Sequence, residues 1–238
     1  METLLNMRQG IQDDLTVGDE SALYSPTIID RYINRSYLNK VVTFRPWPET
    51  HDAKYTTTQA NQEYYDYPTN WRSNSIWKLV VDDKRWGEDP DGSPLTFDDY
   101  LNWKTDNPSA TDKKWANQWR RYFIFPVPTA AALQICIWGI KTITTQLSAD
   151  ADTTIFSLSN PQVNEAIVLE AEAMLKSKGD NDNGAIFKST EAKFLLEKTW
   201  QDIAKENSKY EKNMPFFQVN DMFGDSNSKD LRGRFDLS

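Results

Sequence analysis

The chain has 238 residues, room for one large domain or for a domain carrying a sizeable insertion. Hydrophobic residues make up 39% and aromatic residues 13%, with nine Trp, which excludes a disordered chain and supplies a core. A formal net charge of −8 argues against tight phosphate binding, though not against a surface past which nucleic acid slides without sticking.

The opening stretch METLLNMRQG lacks the apolar run of a signal peptide. Leu4, Leu5, Ile11 and Leu15 recur at helical spacing and predict a short first helix. YSPTIIDRYINRSYLNKVV then offers Ser25 as N-cap and Pro26 as the first helical residue. Ile29, Tyr32, Ile33 and Tyr37 form its apolar face, opposite Asp30, Arg31, Asn34 and Arg35. From about residue 43 to 139 the helical period fades and Pro, Trp, Tyr, Asp and Asn dominate. SIWKLVVDDKRW predicts a strand, a tight Asp-Asp turn and a returning strand. After the GEDPDGSP loop, LTFDDYLNWK predicts a short helix, and RRYFIFPVPTAAALQICIWGIK a hairpin of two β-runs joined at its Pro-Val-Pro-Thr corner. Cys136, the sole cysteine, lies in that last apolar run and reads as a small buried hydrophobe, consistent with synthesis in a reducing compartment. The run is too short to span a membrane, so a soluble, non-secreted protein is expected.

Helix returns in SNPQVNEAIVLEAEAMLKSKG. Asn160 caps it, Pro161 opens it, Val163, Ile167, Ala171, Met174 and Leu175 form its buried stripe, and Gly179 ends it. A second helix, from about 185 to 207, carries Ala192, Leu196, Trp200 and Ile203 on one face, and the pair predicts an antiparallel hairpin. The expected fold class is α+β: a small α-helical bundle with a β-rich, Trp-rich insertion and an extended C-terminal tail. Its parts are N-terminal helices over 1–43, the insertion over 44–140, the helical hairpin over 141–207 and the tail over 208–238.

Candidate chemistry is sparse. His51 is the only histidine, in a stretch that reads as an exposed loop, so zinc and Ser-His-Asp chemistry have no support. No glycine pattern cradles a phosphate. DNDNGAIFKSTE fails as a calcium loop, because Gly184 and Ala185 fall where an oxygen ligand and a turn glycine are needed. The acidic groups Asp82–Asp83, Glu88–Asp89–Asp91 and Asp98–Asp99 could in principle serve glycoside hydrolysis, but turn chemistry accounts for them. Neither cofactor nor metal is expected. Trp71, Trp77, Trp86, Trp103, Trp115 and Trp119 suit the core and contacts of a small β-domain. An aromatic platform for a carbohydrate or a peptide is the alternative.

The segment NMPFFQVNDMFGDSNSKDLRGRFDLS, residues 213–238, has no period of its own but keeps Phe216, Phe217, Met222, Phe223 and Phe235. From Ser208 onward it holds five Lys or Arg and five Asp or Glu, so the net negative charge lies in the body of the chain.

Four stretches in this order, SPTIIDRYINRSYLNKVV, YYDYPTNWRSNSIWKLVVDDKRW, RRYFIFPVPTAAALQICIWGIK and FSLSNPQVNEAIVLEAEAMLKSKG, together resemble the head–tail connector (adaptor) proteins of tailed bacteriophages. The resemblance covers about residues 25–207 and rests on order rather than on a diagnostic motif. It implies a non-enzymatic virion protein of the neck, made in the host cytoplasm, that forms a ring of twelve copies beneath the portal protein. Its partners would be the portal, other neck and tail proteins and itself, with genomic DNA passing through the channel and no membrane contact. It also implies an extended tail docked on the portal, with Phe216, Phe217, Met222, Phe223, Arg232, Arg234 and Phe235 as the docking residues. A tail whose Phe216 and Phe217 fold back on the last helix is the simpler alternative. A ring multiplies the body's negative charge, and an acidic channel wall would repel the DNA backbone.

Overall fold

The structure is a computed structural model that describes residues 2–16, 24–87, 92–179 and 181–210, with side chains of the last helix as far as 206. It is α+β. Helices α1 (Leu4–Thr16), α2 (Pro26–Ser36) and α3 (Val42–Phe44) precede seven strands, with α4 (Phe97–Asp106) among them; α5 (Gln162–Lys178) and α6 (Asp182–Tyr210) follow. The chain divides into two units, Met1–Thr199 and Trp200–Ser238; the described part of the second is the end of α6.

In the helical part, Leu4, Ile11 and Leu15 of α1 and Ile29 and Ile33 of α2 are buried, as their spacing predicts, while Met7 is buried where Leu5 was expected and Leu5 is only partly covered. Ser25 stands at the N-cap of α2 with Pro26 behind it, but its carbonyl, not its hydroxyl, accepts the first backbone N–H groups. Sequence spacing missed one feature here. Tyr37–Val41 is a π-helical turn, in which the Val42 N–H reaches back to the Tyr37 carbonyl. The extra residue in that turn lets Tyr37, Val41 and Val42 all be buried. Ser36, small and buried, donates to the Ile167 carbonyl at 2.8 Å where α2 crosses α5. Asn34, on the predicted polar face, is not left to solvent: its amide makes two bonds with the Leu147 backbone, at 2.9 and 2.7 Å. Lys188 of α6 lies 2.7 Å from Glu172 of α5, and Thr199 lies 3.4 Å from Gln162, so the two helices run antiparallel.

The seven strands are β1 (His51–Thr57), β2 (Tyr64–Asp66), β3 (Lys78–Val81), β4 (Lys84–Trp86), β5 (Lys114–Gln118), β6 (Arg121–Phe125) and β7 (Gln134–Ile140). They form two antiparallel sheets, ordered β1-β7-β3-β4 and β2-β6-β5. Leu79, Ile135 and Ile137 from the first and Tyr65, Trp115 and Ile124 from the second share one core. Trp71, also in that core, lies against Gly139, where a Cβ would collide with the indole ring. The α4 helix covers the other side of the second sheet, Tyr100 packing with Phe123 and Phe125.

β3 and β4 pair across the Asp-Asp turn as the sequence predicts. The runs β6 and β7 do not form the expected hairpin. β6 pairs with β2 and β5, β7 with β1 and β3, and residues 126–133 carry the chain from one sheet to the other. Pro126 and Pro128 donate no hydrogen bond, so the link suits a crossing between sheets better than a turn within one.

Candidate functional site

The predicted docking residues Phe216, Phe217, Met222, Phe223, Arg232, Arg234 and Phe235 lie outside the described residues. So do Glu88, Asp89 and Asp91. His51 does not sit in an exposed loop. It opens β1, half-buried, with Nε2 3.2 Å from the Pro46 carbonyl and its ring 4.7 Å from that of Trp77. Burial holds its pKa below the ordinary 6.5. Asp82 and Asp83 have φ of +52° and +57°, the backbone of a two-residue hairpin turn that Asp tolerates. Asp98 and Asp99 occupy the first turn of α4, where Thr96 caps the Asp99 N–H. Each of these carboxylate pairs thus has a local structural reason. Asn181 likewise caps α6 by accepting from the Gly184 N–H at 3.0 Å. Among the described residues no group of acidic, His or Cys side chains is placed to hold a metal ion, and no helix is long and apolar enough to cross a membrane.

One buried charged cluster stands apart from the predicted sites. The Glu172 side chain is only 2% exposed and faces Lys188 at 2.7 Å; Lys188 also meets Asp14 at 2.9 Å. Burial pushes the Glu172 carboxyl above its usual range, while the hydrogen bond from Lys188 holds Asp14 below its own. The cluster ties α6 to α5 and α1, and a tie between elements is what it does. Arg8 makes a similar joint, gripping Asp30 with two nitrogens at 2.7 and 2.8 Å and Asp150 at 2.9 Å.

What the surface offers is apolar. Trp71 and Trp115 are buried in the β-sandwich, as the core reading of the tryptophans predicts, and Trp119 is the one exposed tryptophan among the described residues. On α6, Ala185, Ala192 and Leu196 face inward, while Ile186, Phe187 and Phe194 are 65%, 67% and 70% exposed on the opposite side. Three large apolar side chains in one outward stripe exceed what scattered surface hydrophobics account for. The seven-residue spacing of Phe187 and Phe194 and the two-residue gap that puts Trp119 at a hairpin tip are both present in the sequence, but periodicity alone does not say which face of an element the core leaves open. Beside the α6 stripe runs a groove edged by Arg35, Lys40, Lys178 and Lys193 against Glu170 and Asp182. Such surfaces can bind another protein and hold no constellation for bond chemistry among the described residues.

Comparison with known proteins agrees. No curated protein matches the chain. The family model described as SU10 adaptor protein matches residues 3–208, which take in every described helix and strand but the last two residues of α6. That is a family of phage head–tail structural adaptors and not an enzyme class. With α+β architecture, an apolar outer helix face and a match along nearly the whole described chain, this protein belongs to the SU10 adaptor protein family.

Proposed function

We propose that the chain is a head-to-tail connector that forms a ring beneath the portal protein, in the neck of the virion, around the channel through which the genome passes. The family match over residues 3–208 carries this reading. A ring needs two different faces on each copy, one meeting the other's complement on the neighbour. The outward stripe of α6, Ile186, Phe187 and Phe194, is the described surface best suited to be one of them. The tail residues Phe216, Phe217, Met222, Phe223 and Phe235, with Arg232 and Arg234, would dock on the portal and order as they do so, which couples ring closure to the presence of the portal. The body's negative charge suits a channel that DNA traverses without sticking. Helices at 1–43 and 141–207 would build the ring, with 44–140 projecting from it toward other neck or tail proteins.

Electron microscopy of a phage lacking the protein tests this. DNA-filled heads and separate tails are expected to accumulate, and the wild-type chain supplied in trans should join them. Complete, infectious particles formed without the chain would refute it.

A further inference from the structure

The hairpin between β5 and β6 turns on two residues, Trp119 and Arg120, because Gln118 pairs with Arg121. Trp119 has φ +56°. A bulky aromatic residue in the left-handed region is strained where Gly or Asn would sit at ease. Burial does not compensate, since Trp119 is 76% exposed. Its backbone is nevertheless held firmly. The Trp119 carbonyl accepts from the Asn74 N–H at 2.9 Å and the Arg120 carbonyl from the Tyr67 N–H at 2.8 Å. The Arg120 guanidinium donates to the carbonyls of Trp71, Pro68 and Thr69 at 2.9, 2.8 and 3.1 Å. Next to it Arg121 lies 4.8 Å over the Tyr64 ring and 3.1 Å from Asp66. The tip is therefore an indole presented to solvent on a fixed frame, in a surround with two arginines and one aspartate.

We infer that Trp119 is an anchor by which this chain grips a different virion protein, entering an apolar pocket edged with carboxylates. The inference rests on the adaptor function proposed above. Trp and Arg lead the residues that carry binding energy at interfaces, and a backbone fixed beforehand loses little freedom on docking. Charge selects the occupant. A basic tip favours an acidic rim. Among the described residues, a groove along α2 sets Arg31 and Arg35 against Asp30, which Arg8 already holds, and the groove beside the α6 stripe carries four basic residues against two acidic ones, so neither of these two offers such a rim to a second copy. Nucleic acid also stacks on Trp beside Arg, and the test separates it from a protein.

The full-length chain carrying p-benzoylphenylalanine at position 119 is supplied to phage lacking the gene, and purified virions are irradiated and analysed by mass spectrometry. Adducts at position 119 are expected to map to one other virion protein, on a peptide rich in Asp and Glu. Adducts to a second copy, to DNA, or to nothing in virions that contain the chain would overturn the anchor. Trp119→Asn covers the case in which the modified chain fails to enter virions. Asn accepts the backbone, so the variant should melt at or above the wild-type temperature while retaining proteins of disassembled virions at least tenfold more weakly. Equal retention would overturn the anchor as well. Absence of the wild-type chain from virions would instead remove the adaptor function on which the anchor rests.

Discussion

Single residues in this protein explain stability better than they explain function, and two of them give sharp expectations. Burial lowers the pKa of His51, so the folded state resists its protonation. Because the folded value is depressed, its contribution to stability is complete above about pH 6.5 and is lost as pH falls from there through the folded value. As His51 is the only histidine, its imidazole proton titrates alone in the NMR spectrum, with a midpoint expected below 6.5; a midpoint at or above that would contradict the packing against Trp77. Lys188 gives the second. Lys188→Met leaves Glu172 buried without its cation and is expected to destabilise the fold by about 3 kcal/mol or more in urea unfolding. Adding Glu172→Leu should restore most of the loss. If the double variant is no more stable than the single one, the pair is not the cause. The histidine's burial was not legible in PETHDAKY, where a polar stretch hides a strand and the residue paired with His51 is Ile140, far along the chain in β7.

Elements with local signals were legible, and those defined by distant partners were not. Pro26 and Pro161 mark helix starts to within a residue and Gly179 a helix end, because these signals act within one turn; but Pro161 itself is the N-cap of α5, and Asn160, expected to cap it, donates its amide to Glu49 instead. Asp-Asp between two β-runs marks a hairpin for the same reason. The spacing of β6 and β7 suggested another, but strand pairing is settled by the core, and here the core assigns them to different sheets. The π-helical turn at Tyr37–Val41 left no sequence signal, since it is read only from which backbone groups bond. At this scale Gly139 is the telling position. The β7 strand passes so close to Trp71 that Gly139→Ala would drive a methyl group into the indole. A loss of about 1–3 kcal/mol is expected from that overpacking, read as a fall in melting temperature. An unchanged melting temperature would mean that Trp71 moves freely, against its place in the sandwich core.

At the scale of the whole molecule, the apolar outer face of α6 and membership in a family of structural adaptors fit a part that works by contact. Membership in a phage adaptor family was legible from the order of four stretches rather than from any motif. The proposed docking tail rests on the sequence alone, on phenylalanines in a segment without a helical or strand period. The surfaces that lie within the described residues, the α6 stripe and the Trp119 tip, became visible only in three dimensions, because exposure depends on which face of an element the core leaves uncovered. The proposed assembly on the portal through the tail is tested by light scattering of the full-length protein with purified portal and of a chain truncated after Lys212. A large complex with the full-length chain and none with the truncated one is the expected result; a full-length chain that leaves the portal's mass unchanged would contradict it.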